Sequence, residues 1–304
     1  MSAKQNFQNK SYNLHAENFK EFSKGSVKES LAKTWLEKDT VDAWRHARMY
    51  RNLDPILTDE PHAKWLTVGD GRYGRDAKYI LDKGGHALPT DISETLLKEA
   101  KDADYIHDYS VENAESLSFG DSEFDYVLCK ESYHHFPRPT IGLYEMLRVA
   151  SKGVFLIEPN DIYAAYDLPK MVARSAKNML KRLLGKKSAN HVFEIAGNYV
   201  YTLSRREIEK VALGLNYKVV AFKGLNDTYL AGVEYEKLSD NGPLQRKVRN
   251  TLRLKDLLAR FGFQDPGMLI AIIFKQTPSK NLCDSLAEEG FLIINLPENP
   301  YISD

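Results

Sequence analysis

The chain has 304 residues, 43% of them hydrophobic and 28% charged, with 42 Lys and Arg balanced by 42 Asp and Glu. That length suffices to bury a substantial core, and a formal net charge of zero leaves no global field to draw the protein to nucleic acid. Two cysteines, Cys129 and Cys283, give no disulfide framework, and the apolar run around Cys129 suits a buried thiol in a reducing compartment. Residues 1–10 lack the apolar stretch of a signal peptide. No run approaches the roughly 20 apolar residues that cross a bilayer, so the expected location is cytoplasmic.

Residues 1–60 read as a helical cap rich in aromatic side chains, among them Tyr12, Phe19, Phe22, Trp35, Trp44 and Tyr50. The helical spacing of its apolar positions is only partial, which suits packing on a core. The polar and aromatic mixtures at Tyr12, Asn13 and His15, and at Arg45, Arg48, Tyr50 and Arg51, suit a lid that excludes water from a ligand.

From Trp65 the pattern alternates strand and helix, the signature of a parallel doubly wound sheet across 61–161. Strand one, Trp65–Val68, runs into the turn Gly69-Asp70-Gly71-Arg72-Tyr73-Gly74, and a helix begins near Asp76. Glycines in such a turn permit positive φ and close approach of a ligand to bare backbone, and the following helix offers its amino-terminal N–H groups. This is a site for a nucleotide-like cofactor. Strand two is His86–Thr90, ending at Asp91, and Ser93 is the expected N-cap of a helix to Ala100. A short third strand is expected near Tyr105–His107 and a fourth at Phe124–Cys129. A loop of residues 130–139 and a helix at Thr140–Val149 lead to a fifth strand, Gly153–Ile157, which ends at Glu158.

Residues 162–203 form an insertion, with a basic amphipathic helix over 169–187 that no acidic residue interrupts. Ser204 with Glu207 three residues on has the pattern of a capping box opening the next helix. A strand at Tyr217–Phe222, a helix around Leu244–Phe261 and a strand at Met268–Phe274 complete the core over 204–277. The tail from 278 holds one more apolar run, Phe291–Leu296, suited to an extra strand or a contact with a second subunit in a homo-oligomer.

The turn fits G-x-G-x-x-G and Asp91 lies about 20 residues on, which alone would suit a dinucleotide. Three later segments point elsewhere: Asn113-Ala114-Glu115-Ser116-Leu117-Ser118-Phe119, Phe124-Asp125-Tyr126-Val127, and Ser132-Tyr133-His134-His135-Phe136. In this order they closely resemble the class I S-adenosylmethionine-dependent methyltransferases, in the small-molecule subgroup that acts on quinones, sterols and sugars. The resemblance covers roughly residues 64 to 160. It implies an α/β fold with a Rossmann-like, seven-stranded, mostly parallel sheet and helices on both faces, to which this chain adds the cap and the insertion. It also implies that Gly69, Asp70 and Gly71 wrap the methionine moiety and ribose, with Gly74 (displaced by one position from the family's pattern) in the same cofactor-binding turn, and that Asp91 accepts from both ribose hydroxyls. Ile92 would pack on adenine, Asn113 and Ala114 would face its edge, and Lys130 would lie beside the methionine portion. The family usually has an acid where Thr67 stands, a glycine where Tyr73 stands and an aspartate where Asn113 stands.

The implied reaction is methyl transfer by in-line displacement. Positioning supplies effective molarities of about 10⁵–10⁸ M, against about 10²–10⁴-fold for a general base, so positioning should dominate. An aliphatic hydroxyl acceptor would still profit from a base. His134, His135 and Glu158 are the candidates, each just past the carboxyl end of a central strand, where ligands sit in open α/β sheets. No metal-ligand set is assigned, since Glu158 with Asp161 offers only two carboxylates.

The expected partner is a small-molecule acceptor. Three readings of the basic helix stand side by side: a solvated face, attraction for phosphates of a nucleotide-linked or lipid-linked sugar, and peripheral contact with an anionic membrane. The segment from Gly197 to Glu207 is similar to one in bacterial members acting on surface-polysaccharide sugars. Neutral charge and the sequence Lys130-Glu131-Ser132-Tyr133, where an Asn-Pro-Pro-Tyr-type motif would stand, argue against nucleic acid. The other readings are a catalytically weak methyltransferase-like scaffold and an NAD-dependent oxidoreductase. The latter would need a hydride-handling residue set that is not visible after strand four.

Overall fold

In a computed structural model, the structure describes residues 3–161, 192–194 and 197–301. Four helices precede the sheet: α1 (Ala3–Lys20), α2 (Glu29–Thr34), α3 (Val41–Tyr50) and α4 (Asp54–Asp59). Then follow β1 (Lys64–Val68), α5 (Arg75–Asp82), β2 (His86–Asp91), α6 (Thr95–Asp102), β3 (Ser110–Val111), β4 (Phe124–Lys130), α7 (Pro139–Val149) and β5 (Ala150–Pro159). The carboxyl-terminal part adds α8 (Arg205–Gly214), β6 (Val219–Leu225), α9 (Pro243–Arg260), β7 (Met268–Phe274), α10 (Lys280–Glu288) and β8 (Leu292–Asn295).

The sheet has eight strands in the order β3-β2-β1-β4-β5-β7-β6-β8. The strands from β3 to β5 pair in parallel, whereas β7 pairs antiparallel to both β5 and β6, and β8 antiparallel to β6. Because side chains alternate across a pleated sheet, each strand feeds two cores. Leu66, Val127, Leu156 and Ile273 meet Met146 of α7 and Ile208 of α8 on one face. Trp65, Tyr126, Phe155 and Ile272 meet Ile56 of α4, Ile80 of α5 and Leu282 of α10 on the other. Strands buried on both faces read as continuous apolar runs, and all of β7 is buried.

The expected seven strands become eight, because the run Phe291–Leu296 forms β8, with Phe291 and Leu296 buried at its ends. The third strand lies at Ser110–Val111 instead of 105–107. Ile106 is buried beside Tyr73, Leu96 and Leu97, with Tyr105 packed against them, so only two residues remain to pair with β2. Ser93 is not the N-cap of α6, which begins at Thr95; its N–H is bound by Asp91 Oδ1 at 2.8 Å. The capping box at Ser204 is present, with reciprocal bonds of 3.2 Å from Glu207 N to Ser204 Oγ and 2.9 Å from Ser204 N to Glu207 Oε2. The basic stretch 169–187 lies outside the described residues. No described helix is long and apolar enough to cross a membrane.

Candidate active site

At the carboxyl end of β1 the chain makes a turn that ordinary side chains would obstruct. A Cβ on Gly69 would lie 2.4 Å from Ser132 Cβ, and one on Gly71 would lie 2.7 Å from Asp91 Cγ. Gly69, Tyr73 and Gly74 all have positive φ, at 76°, 63° and 68°. Tyr73 therefore holds a backbone conformation that favours glycine, and its ring is buried among Trp35, Leu96, Leu97 and Ile106. The Asp70 carboxylate turns inward to cap α5, accepting from Asp76 N at 3.1 Å and Ala77 N at 2.9 Å, and from Thr67 Oγ1 at 2.8 Å. Burial and the neighbouring Asp76 push this carboxyl up.

The turn opens on a cavity of about 610 Å³. Asp91, Ile92, Ala114 and Lys130 line it together with Gly69, Asp70 and Gly71. Asp91 is 7% exposed, and burial raises it to about 6 although the backbone amides of Ser93, Gly71 and Ile92 hold it down. A buried carboxylate facing a cavity gains from further donors, and the two hydroxyls of a ribose are donors of that kind. The site fits the cofactor on that ground. Asn113 and Gly74 are not in the cavity wall. Asn113 Oδ1 accepts from Glu115 N at 2.9 Å and closes a local turn, while Gly74 packs toward Pro89 and Ile106. Glu112 lines the cavity beside Ala114, its Oε1 accepting from Ser110 Oγ at 2.8 Å and Ser118 Oγ at 2.6 Å.

Lys130 is 6% exposed, with its ammonium 3.1 Å from Glu131 and 3.5 Å from Asp76, above the Tyr50 ring. Burial alone would lower it, but these neighbours outweigh burial and keep it charged. Burial likewise works against the Glu131 carboxylate, yet Lys130 and Arg72 hold it down at about 2. His46 of α3 is driven well below the usual imidazole value by burial and by Lys130 and Arg75. Tyr12 and His15 of α1 close the cavity from the other side, so residues 1–60 supply part of its wall as well as a cap.

Glu158, at the end of β5, is fully buried. Its Oε1 accepts from Ser132 N at 2.9 Å and Tyr133 N at 3.0 Å, and its Oε2 lies 2.6 Å from His134 Nδ1. This arrangement assigns the proton to Nδ1 and leaves Nε2 of His134 as an acceptor. Burial lowers the imidazole, but Glu158 outweighs it and holds His134 above its ordinary value. Ser132 also donates from Oγ to the Gly69 carbonyl at 2.7 Å, fastening the turn after β4 to the turn after β1. His134 and His135 both line the cavity, with ring centroids 3.9 Å apart, whereas Glu158 lies behind the wall, bonded to its residues His134 and Ser132. His135 Nδ1 lies 2.5 Å from Glu194 Oε1, and burial lowers this imidazole.

Sequence reasoning did not single out His46, Glu112, Glu131, Ser132 or Glu194. His46 and Tyr50 are four residues apart on α3 and so share a face, a signal that was available. Glu194 reaches the cavity by tertiary folding alone.

Residues 66–157 match the family model described as a methyltransferase domain. The glycine turn and Asp91 fall inside this stretch, so the chain carries a methyltransferase domain and is a methyltransferase whose cofactor is S-adenosylmethionine. Among solved structures it is similar to the YcgJ protein of Bacillus subtilis, with 17% identity over 75% of this chain and 99% of that one and a TM-score of 0.47. A methyltransferase from Methanosarcina mazei gives 15% identity, 74% and 98% coverage and a TM-score of 0.46. Magnesium protoporphyrin IX methyltransferase from Synechocystis, with bound SAH, gives 12%, 89%, 99% and 0.45. No curated protein sequence matches the chain.

Proposed function

We propose that the protein methylates a hydroxyl group of a small molecule held in this cavity, with His134 as general base and Glu158 as its positioning residue. The observation that carries this reading is the 2.6 Å contact between His134 Nδ1 and Glu158 Oε2, beside the cofactor turn. When bound, S-adenosylmethionine supplies an electrophilic methyl group on a sulfonium sulfur. Asp91 would hold the ribose hydroxyls, and the Gly69–Gly71 backbone would flank the sugar and the amino-acid portion. The lid side chains Tyr12 and Tyr50 would keep water from the reacting atoms. His134 would take the acceptor proton on Nε2 as the new bond forms. A base is useful for an aliphatic hydroxyl, whose proton is hard to remove, and superfluous for a phenolate or an amine.

Within this class, a sugar or phosphate-bearing glycan precursor is the acceptor the sequence favours, on the basic stretch 169–187 and the segment from Gly197 to Glu207. The same basic stretch is the part that would contact an anionic membrane, and vesicle co-sedimentation at low salt tests that contact. The central experiment is a methyl-release assay on nucleotide-linked sugars, lipid-linked sugars, phenols and amines, using wild type and His134→Asn. Turnover on hydroxyl acceptors, reduced about 10²–10⁴-fold in the variant at unchanged cofactor affinity, is the expected result. Equal turnover by the two proteins would remove His134 from the chemistry.

A further inference from the structure

We propose that His15, His135 and Glu194 form a binding site for one divalent transition-metal ion, of which Zn²⁺ is the representative, in the wall of the cavity. The three residues come from α1, from the turn after β4 and from the stretch 192–194, and all line the cavity. One candidate ligand atom from each lies within 4.8 Å of the other two. Glu194 Oε1 is 2.5 Å from His135 Nδ1, and Glu194 Oε2 is 3.5 Å from His15 Nε2. The two imidazole rings stand edge to face at 5.6 Å, so that neither blocks the space between their nitrogens.

A second observation points the same way. His15 Nε2 and His135 Nδ1 are both buried, and among the described residues the polar group that each faces is the Glu194 carboxylate. Buried ring nitrogens are normally satisfied. Two of them turned toward one carboxylate form a donor set suited to an ion of borderline softness. Two imidazoles and a carboxylate are the ligands of catalytic zinc sites and of open facial sites, which leave positions for a further oxygen ligand. Tetrahedral ligands at about 2.1 Å from zinc stand about 3.4 Å apart, a spacing reached here by small side-chain rotations.

The ion would join the lid helix α1 to the body of the protein, so binding would stabilise the closed cavity. That its open positions would also take an oxygen of the acceptor rests on the methyl-transfer reading. The binding itself does not, and it is tested without cofactor or acceptor.

Full-length protein freed of metal with a chelator is titrated with Zn²⁺ by calorimetry, and with Co²⁺ followed by ligand-field absorption. One ion per chain is expected, with a rise in melting temperature. Glu194→Gln, which keeps the shape of the side chain, and His15→Ala should each weaken binding at least about tenfold. His86→Ala, on the exposed surface, should leave binding unchanged. Circular dichroism of each variant establishes that it is folded. No saturable binding by wild type, or binding equally tight in Glu194→Gln and His15→Ala, would overturn the site. S-adenosylmethionine titrated into the metal-free protein reports separately on the methyltransferase reading, so the two can fail independently.

Discussion

Thr67 Oγ1 donates a 2.8 Å hydrogen bond to the carboxylate of Asp70, and that carboxylate caps α5 through the amides of Asp76 and Ala77. The acid that the resembled family usually carries on the first strand is thus absent, and an acid directly after the first positive-φ residue, Gly69, anchors the helix instead. The variant turn is a coherent local solution. Thr67 and Asp70 replace one buried contact by another.

Asp70 should accordingly behave as a structural residue. Burial and Asp76 push its carboxyl up, so the charged form is disfavoured in the folded protein. Asp70→Asn keeps an oxygen for the helix amides and should leave stability within about 1 kcal/mol of wild type. Asp70→Ala leaves buried donors unpaired and should cost about 2–3 kcal/mol. Urea denaturation of both variants measures the difference.

Tyr73 gives a second test, because its backbone has φ 63° while its ring is buried. Removing the ring costs about 3–5 kcal/mol, and relief of the left-handed conformation returns about 1 kcal/mol, but only to glycine. Tyr73→Gly should therefore be destabilised, yet less than Tyr73→Ala by about 1 kcal/mol. Alanine proving the milder substitution would contradict the conformational argument.

If Asp91 holds the ribose as proposed, it would link cofactor binding to pH. Its carboxyl is raised by burial to about 6, from an ordinary value of 3.8. Between these values the unfolded chain loses a proton that the folded chain keeps, so this group's contribution to stability falls as pH rises through the window and is level above it. A carboxylate accepting from two ribose hydroxyls must be ionised, so cofactor affinity should rise as pH passes upward through about 6. Asp91→Ala should weaken the cofactor on the order of 10- to 150-fold at neutral pH and flatten that dependence. Calorimetry at several pH values reads both effects.

Glu158→Gln separates positioning from binding. The glutamine can still accept from Ser132 N and Tyr133 N through its oxygen, but its amide would then face His134 Nδ1 with a donor. The histidine would be pushed to its other tautomer, and kcat should fall about 10²-fold or more with cofactor affinity nearly unchanged. A parallel loss of cofactor affinity would mean that Glu158 serves the fold rather than the base.

The parts legible in the sequence were those written in contiguous residues. The glycine turn, the acid after β2 and the segments around Asn113 and His134 each encode a local conformation, as does the Ser204 capping box. Boundaries failed where tertiary packing overrode local pattern: Ile106 is apolar but joins a side cluster, which moves β3 to Ser110–Val111. The four-residue β8 was ambiguous because a short apolar run serves equally well as strand or interface. Glu194 and Glu131 could not be read as cavity residues, since nothing in their neighbours in sequence indicates what they meet across the fold. Asn113 shows the converse: its motif position is recognisable, yet its side-chain oxygen is taken up by the backbone of its own turn.

Ser132 has one further consequence. Its hydroxyl grips the Gly69 carbonyl and its amide grips Glu158, which in turn holds His134. Ser132 and Glu158 thus stand between the turn proposed to meet the cofactor and the ring proposed to meet the acceptor. Any adjustment of the Gly69 peptide on ligand binding would be transmitted to the histidine through three hydrogen bonds. Thermodynamic linkage makes such coupling reciprocal, so an acceptor seated against His134 would tighten the grip on the cofactor as much as the cofactor aligns the base.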